Sequence, residues 1–302
     1  MTDVLIRNKD LLIAAQAWRG PGHPLLLLHG MGGTLLTWAT VIPHLSKSHE
    51  VICMDLRNHG HSGSGSWNWD AVLDDVEAVL THFDAKDAII VGHSLGGTIA
   101  TLYARAHPDI QGIVNLDGFG LGKPEEYTSL PLGSVTAYLS QLCEMFVSEC
   151  GKSFSSEEID GIVRESGQEA DQLGFPRALY ESAIRRRLHA CGSNTYQGRP
   201  DQVQAREIWL QDDEVDVFDV IKSLSCRALM VSATDPGPGI DDVEELAMLM
   251  AERREIVQRQ LASIARSPNV TVQHVNATHN LILEIPTEVA AIIKNFAASI
   301  SQ

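Results

Sequence analysis

The sequence has few cysteines, and no pairing pattern is visible among them. Its 302 residues include five cysteines, an odd number, and none of them form a C-x-x-C pair. This scatter argues against a disulfide framework and against the zinc sites that are built on paired cysteines. We therefore expect a reduced, cytoplasmic protein without a structural metal.

Long apolar runs and an excess of positive charge are also missing. The strongest apolar run, residues 25–28, is far shorter than the roughly 20 residues that a membrane-spanning helix needs. Residues 1–7 lack the apolar segment of a secretory signal. Lys and Arg number 23 against 39 Asp and Glu, which gives a net charge of -16. Such a chain repels nucleic acid and anionic membranes, so we expect no nucleic-acid partner and no membrane insertion.

Short apolar runs alternate with amphipathic helical segments along most of the chain. This alternation is typical of βα units that build a mostly parallel sheet, and it predicts the α/β fold class. Each run is rich in Leu, Ile or Val, as expected of strands that are buried on both faces. The predicted strands are residues 24–29, 51–56, 88–91, 110–116, 228–232 and 270–275, preceded by an antiparallel hairpin at 4–6 and 11–18.

One region interrupts this alternation. From Phe119 to about Leu224 the sequence shows helical stretches and polar joints, with no convincing strand. A structureless loop of that length is unusual inside a compact domain. Residues 119–224 are therefore predicted to form a helical cap, or lid, on the carboxyl edge of the sheet. Residues 1–118 and 225–302 then form the core domain.

The segment Gly92-His93-Ser94-Leu95-Gly96 matches the G-x-S-x-G pattern of a nucleophile elbow. It follows a predicted buried strand and precedes a helical segment. In such a turn the serine adopts a strained backbone conformation, and side chains in place of the glycines would collide with the neighbouring strand and helix. Ser94 is therefore a candidate nucleophile, and the amide of Leu95 is a candidate oxyanion donor at a helix start. The alternative is a glycine-rich turn with an incidental serine.

Further candidates lie at the ends of other predicted strands. The glycine-rich turn that contains Met31 places its amide where a second oxyanion donor is expected. His279 follows the last strand and is the candidate general base. Asp235, after the preceding strand, is favoured as the acid that orients the imidazole. Asp117 also ends a strand, and it remains the possible alternative acid.

The chain order Ser, Asp, His, with each residue at a strand end, resembles the α/β-hydrolase superfamily. The segment Asp55-Leu56-Arg57-Asn58-His59-Gly60-His61-Ser62 resembles the family's D-x-R-G-H-G-x-S loop, with Asn58 in place of glycine. Glu284-Ile285-Pro286 resembles the E-x-P helix start that follows the family's histidine. The resemblance covers nearly the whole chain. It implies the α/β-hydrolase fold, and the helical region stands where the family's caps are inserted.

Three other parts of the chain lie outside the strand ends and the serine elbow. Trp209, in the predicted cap, is the candidate for lining a substrate pocket. The basic run Arg185-Arg186-Arg187 is expected to be a solvated helix face. The segment 241–266, which carries Arg253-Arg254, is longer than the single short helix that the family usually has before the last strand. Its charge pattern favours a solvated helix. A roof over the site and a surface for a partner protein are the alternatives. Homodimer formation stays open.

This constellation predicts acyl transfer to water, with no metal and no organic cofactor. The substrate would be a small-molecule carboxylic ester, lactone or thioester, cleaved through an acyl-enzyme on Ser94. Carbon–carbon bond hydrolysis and acyl transfer to another acceptor are alternatives, although carbon–carbon hydrolases usually have tryptophan where Asn280 and Leu281 stand. Dehalogenases and epoxide hydrolases of the superfamily carry an aspartate nucleophile, which this elbow lacks. A non-enzymatic small-molecule receptor of the same fold is the remaining alternative.

Overall fold

A mostly parallel sheet forms the centre of the molecule. The structure is a computed structural model and describes residues 2–173, 177–237 and 244–300. Its strands are β1 (Val4–Asn8), β2 (Leu11–Trp18), β3 (Leu25–Leu28), β4 (Val51–Met54), β5 (Ile89–His93), β6 (Gly112–Leu116), β7 (Ser153–Ser155), β8 (Leu188–Ala190), β9 (Thr195–Gly198), β10 (Arg227–Ala233) and β11 (Val270–Val275). Eight of them form one sheet in the order β1-β2-β4-β3-β5-β6-β10-β11. Within this sheet β2 runs antiparallel to both of its neighbours, and the other described strand pairs are parallel.

Helices cover both faces of the sheet. They are α1 (Ile42–Leu45), α2 (Trp69–His82), α3 (Leu95–Ala106), α4 (Leu132–Glu149), α5 (Ser156–Leu173), α6 (Arg177–Arg186), α7 (Gln202–Asp213), α8 (Val217–Lys222), α9 (Glu244–Ile264), α10 (Leu281–Glu284) and α11 (Pro286–Ile300). No helix in the described ranges is long and apolar enough to cross a membrane.

The core consists of one apolar cluster on each face of the sheet. Leu26 and Leu28 of β3 belong to the cluster that contains α2 and α3. Leu25 and Leu27 belong to the opposite cluster, with α1 and α11. Successive side chains of a strand point to opposite faces, so a strand buried on both sides must be apolar at every position. The α/β fold class and the predicted strands of the large sheet are therefore confirmed, with β11 at the predicted bounds.

The region between β6 and β10 contains a small sheet that the sequence did not indicate. Strands β7, β9 and β8 pair antiparallel, beside helices α4 to α8. The prediction of a region without strands is wrong here, because these strands have three or four residues each and are too short to show an alternating pattern. At its end, α8 packs on α3 in the main core. The division into core and cap at residues 119 and 224 stays a prediction.

Candidate functional site

Ser94 lies at the turn between β5 and α3. Its backbone has φ 53° and ψ -123°, a conformation that residues other than glycine rarely adopt. Its amide donates to the carbonyl oxygen of Leu116 at 3.0 Å, which ties the turn to β6. A Cβ at Gly92 would lie 1.9 Å from the carbonyl oxygen of Gly96, and one at Gly96 would lie 2.3 Å from that of Leu28. Only glycine fits at either position, and this is the steric basis of the G-x-S-x-G pattern.

His279 is bonded to Asp117 and not to Asp235. It lies on the loop after β11, and its Nδ1 is 2.8 Å from Oδ2 of Asp117. The other carboxylate oxygen of Asp117 accepts the amide of Ala233 at 3.1 Å. Asp235 is exposed, and its Oδ1 accepts the amide of Gly237 at 2.9 Å. The choice of Asp235 as the orienting acid is therefore wrong, and the alternative, Asp117, makes the contact.

The reason lies in the turns that follow two adjacent strands. β6 and β10 pair in parallel, with Leu116 opposite Val231, so both aspartates emerge at the same edge of the sheet. Asp117 directly follows β6 and adopts φ 54°, a left-handed conformation that aspartate tolerates better than most residues. Asp235 comes later in its turn, where its amide donates to the carbonyl oxygen of Ala277. The geometry of each turn decides which carboxylate meets the histidine.

Asp117 is buried and nevertheless held ionised. Burial acts to raise its pKa, but the hydrogen bond from His279, the charges of His279 and Arg253 and the amide of Ala233 outweigh burial, so the pKa lies below its usual value. A carboxylate only accepts, so Nδ1 of His279 donates to it and Nε2 is left free to take a proton. The imidazole is half-exposed, which leaves it accessible to a substrate.

His93, inside the elbow, holds the main chain of His279. Its Nε2 is 2.8 Å from the carbonyl oxygen of His279, and the two rings are 4.9 Å apart. Because a carbonyl oxygen only accepts, Nε2 of His93 must carry a proton. Burial lowers the pKa of His93 to about 4, so this imidazole is neutral near pH 7. The bond connects the turn of Ser94 to the loop of His279, and no pattern in the sequence indicated it.

The two predicted oxyanion donors follow neighbouring strands. β3 pairs with β5 in parallel, with Leu28 opposite Gly92, so the turns that carry Met31 and Leu95 start side by side. Leu95 is the first residue of α3. Among the described residues, neither its amide nor that of Met31 donates a hydrogen bond. Two free amides, one of them at a helix start, are suited to hold a developing negative charge.

Two buried histidines support the turn that carries Met31. Nε2 of His59 accepts the amide of Gly32 at 3.0 Å. Nε2 of His29 accepts the amide of Leu56 at 3.0 Å, and Nδ1 of each ring faces a backbone carbonyl. Burial lowers the pKa of both histidines to about 3, so each remains neutral and keeps one accepting nitrogen. The loop that resembles D-x-R-G-H-G-x-S thus supports the candidate oxyanion turn.

Asn58, the departure from the family's loop pattern, fits its position. It adopts φ 66°, which asparagine tolerates better than most residues. Its side-chain amide donates to the carbonyl oxygen of Gly65 and accepts the amide of Gly65, both at 2.9 Å. The side chain therefore closes the loop with two bonds that glycine cannot make.

Arg186 lies in the core and not on a solvated face. It forms ion pairs with Asp55 at 2.8 Å and with Asp3 at 3.0 Å. Asp55 is fully buried, and its Oδ1 also accepts the amide of Leu35, in the segment after the oxyanion turn. The expectation for the basic run is wrong at this residue, while Arg185 is exposed as expected. The region between β6 and β10 is thereby anchored to the loops around the site.

Trp209, the candidate pocket residue, packs on Phe146 with ring centroids 5.6 Å apart. Both rings join a small apolar cluster between α4 and α7. A Cβ at Gly32 would lie 3.8 Å from Cζ of Phe146, so the Phe146 ring lies over the candidate oxyanion turn. Trp209 is thus one contact removed from that turn. A role in binding substrate stays a prediction.

A cavity of about 1010 Å³ opens beside His279 and Asp117. One wall is the chain at the end of β10, which includes Asp235, and the opposite wall is α9. Leu249 of α9 is fully buried, so this helix packs on the protein and is not a freely solvated segment. Within 241–266, the described residues from 244 onward thus fit the alternative of a roof near the site. Residues 241–243 lie outside the described residues.

No group of three or more His, Cys, Asp or Glu side chains that could hold a metal ion occurs within residues 2–173, 177–237 and 244–300.

Comparison with known proteins agrees with this architecture. The model of the alpha/beta hydrolase fold family matches residues 23–235. The 2-hydroxymuconate semialdehyde hydrolase of Pseudomonas sp. (strain CF600) is 34% identical over 112 residues, which are 35% of this chain and 40% of that protein. The soluble epoxide hydrolase of Corynebacterium sp. (strain C12) is 33% identical over 172 residues, 48% of this chain and 60% of that protein. Each match spans less than two thirds of the relative's own length.

Solved structures extend the likeness over the full chain. A thioesterase domain from the curacin biosynthetic pathway superimposes with a TM-score of 0.68 at 17% identity, covering 97% of this chain and 99% of that chain. At this identity the match establishes the fold. Together with the family model, which covers most of the sequence, and with the serine elbow between β5 and α3, it shows that the chain belongs to the α/β-hydrolase family, a family of hydrolytic enzymes.

Proposed function

We propose that the protein is a serine hydrolase that cleaves small-molecule carboxylic esters, lactones or thioesters. The observation that carries this proposal is the bond between His279 and Asp117, on a loop that His93 ties to the strained turn of Ser94. A nucleophile, a base and an orienting carboxylate on three strand ends form the arrangement that activates a serine hydroxyl.

The proposed mechanism uses only groups of this chain and water. Nε2 of His279 takes the proton of Ser94, whose Oγ attacks the substrate carbonyl, while the amides of Met31 and Leu95 stabilise the tetrahedral oxyanion. The protonated imidazole then gives its proton to the leaving group, and an acyl-enzyme remains. Water attacks this ester with His279 again as base, and the acid product leaves. Asp117 stabilises the imidazolium in both steps.

Ser94 and His279 are not hydrogen-bonded to each other in the described structure, where His279 bonds to Asp117 and His93. Catalytic contacts of this kind are often long in the absence of substrate and shorten when it binds. The proposal therefore requires that the two side chains come within hydrogen-bond distance when substrate binds.

Carbon–carbon bond hydrolysis is the second candidate. It is favoured by the relative from Pseudomonas, which is named for hydrolysis of a semialdehyde. The scaffold and the oxyanion donors serve either reaction, so the bond that is cleaved depends on the substrate pocket. The epoxide hydrolase relative does not suggest its own reaction here, because the elbow carries serine and not aspartate.

A fluorophosphonate probe tests the proposal. Purified protein is labelled, and the adduct is located by intact mass and peptide mapping, with Ser94→Ala as the control. Turnover of p-nitrophenyl esters, acyl thioesters and a vinylogous 1,5-diketone is then compared. An adduct on Ser94 with ester or thioester turnover supports the proposal, whereas turnover of the diketone alone supports the second candidate. A folded protein that forms no adduct contradicts both and favours a receptor of the same fold.

A further inference from the structure

The cavity beside His279 is lined by three arginines and three carboxylates, although the chain as a whole is acidic. The sequence has 23 Lys and Arg against 39 Asp and Glu. Nevertheless α9 places Arg253, Arg254 and Arg259 in the lining of this one cavity, which also includes His279 and Asp117. The positions 253 and 254 are partly buried, and position 259 is exposed. The three arginines of the lining thus differ in their exposure to solvent.

The three arginines differ in how they are bonded. Arg253 donates through Nε to the carbonyl oxygen of Gly120 at 2.8 Å, and its charge acts on Asp117. Neither Arg254 nor Arg259 has a hydrogen bond or an ion pair with another residue of the described ranges. A guanidinium carries five donors in a planar fork that matches the oxygens of a carboxylate or a phosphate. Within the described residues, Arg254 is thus a partly buried cation whose side-chain donors have no protein partner.

The acidic residues in the lining form no ion pair with Arg254 or Arg259 in the described structure. Asp117 is bonded to His279 and to the amide of Ala233. Asp235 bonds to a backbone amide of its own turn, and neither it nor Glu255 forms an ion pair within the described structure. Both are exposed, where solvent weakens their interaction with charges inside the cavity.

The remaining lining indicates the shape of the ligand. Leu121, Met250 and Val257 add apolar surface beside the arginines. Pockets of about 300 to 1,000 Å³ enclose small-molecule ligands of many atoms. A cavity of about 1010 Å³ therefore has room for a ligand with an apolar body and an anionic group. Since His279 lines the same cavity, such a ligand lies next to the residue that protonates the leaving group.

We propose that the cavity between α9 and the end of β10 binds an anionic oxygen group, a carboxylate or a phosphate, on the leaving-group side of the substrate, with Arg254 as the residue that selects it. This inference rests on the proposed hydrolase function and specifies its substrate class. The net charge of -16 repels anions at long range, so an acidic substrate is recognised only by local contacts in this cavity.

Two acetyl esters whose leaving groups differ in charge test the inference. 4-Acetoxybenzoate and its methyl ester carry the same acetyl group, and only the first has a carboxylate on the leaving group; release of acetate is followed for both. We expect wild type to prefer the acid in kcat/KM, and Arg254→Gln to reduce the acid-to-ester ratio by about 10-fold, as expected for a lost charge-assisted hydrogen bond. The loss should appear mainly in KM. Arg254→Lys should restore part of the ratio.

The matched control is Arg266→Gln, which removes the same charge from an exposed position outside the cavity. It should leave the ratio unchanged. Equal ratios in Arg254→Gln and Arg266→Gln would overturn the inference, and thermal melts of both variants exclude a folding defect. Fluorophosphonate labelling separates the two proposals, because an adduct on Ser94 without charge preference refutes only the anion site.

A second experiment distinguishes an anionic group of the substrate from a free anion that binds as an effector. 4-Hydroxybenzoate should inhibit wild type competitively and should inhibit Arg254→Gln at least several-fold more weakly. Inorganic phosphate at millimolar concentration should have no effect on turnover of the neutral ester. If phosphate changes that turnover and wild type has no preference for the acid, the cavity binds an effector, and the assignment to the leaving group is wrong.

Discussion

Replacing Asp117 by asparagine should disable His279 without removing it. Oδ1 of Asp117 accepts the amide of Ala233, and Oδ2 accepts Nδ1 of His279. In the variant, the amide oxygen must stay with the donor at Ala233, so the NH₂ group faces His279. Because this NH₂ donates, Nδ1 has to accept, and the single proton of the neutral imidazole moves to Nε2.

The change of tautomer determines how much kcat should fall. An imidazole that is protonated on Nε2 cannot take the proton of Ser94. The same exchange in a well-studied serine protease lowers kcat by about 10⁴-fold, or about 5 kcal/mol. Asp117 is buried and has both oxygens bonded, so we expect a loss of about 10³ to 10⁴ in kcat with little change in KM. Asp235→Asn removes only an exposed acceptor, and it should change kcat by less than about 3-fold.

The assay is p-nitrophenyl acetate hydrolysis at pH 8, with thermal melts to show that each variant is folded. Asp117→Asn and Asp235→Asn are compared at equal concentrations of folded protein. A loss of more than 100-fold in Asp235→Asn, together with near-normal kcat in Asp117→Asn, would refute the pairing of Asp117 with His279. Comparable losses in both variants would show that the two carboxylates act together.

Three further predictions concern buried charge. Three buried histidines, His29, His59 and His93, stay neutral in the native state down to about pH 3 to 4. In the unfolded state they take up protons below their pKa of 6.5, so the free energy of unfolding should fall by about 1.4 kcal/mol per pH unit for each histidine as the pH decreases. Urea unfolding measures this from pH 7 to 5, and a free energy that does not change with pH would contradict the prediction. Burial raises the pKa of Asp212 to about 6, and its Oδ1 lacks a partner in the described structure. The stability that Asp212 contributes below its unfolded pKa is therefore lost as the pH rises through 6. Asp212→Asn should raise the free energy of unfolding by up to about 3 kcal/mol at pH 8 and by little at pH 4. An equal gain at both pH values would contradict the raised pKa of Asp212. Arg186→Met removes the ion-pair partner of the fully buried Asp55 and should lower the free energy of unfolding in urea by about 3 to 5 kcal/mol. A decrease of less than about 1 kcal/mol would contradict the role of this ion pair as an anchor.

The sequence by itself determined the sheet and the serine elbow. Both are local: a strand buried on two faces has to be a continuous apolar run, and the elbow needs glycine at positions 92 and 96 within a single turn. The chain order of Ser94, an aspartate and His279, each after a predicted strand, then indicated the family. Short strands such as β7 escaped detection because three residues cannot show a period.

Only the tertiary structure decided which carboxylate meets His279, because Asp117 and Asp235 both follow adjacent strands and the sequence pattern alone favoured Asp235. The deciding contacts join distant positions: His279 and Asp117 are 162 residues apart, and His93 and the carbonyl of His279 are 186 apart. Likewise Arg186 reaches Asp55 across 131 residues. Such pairs depend on turn dihedral angles and on strand register, and these are defined only once the sheet has assembled.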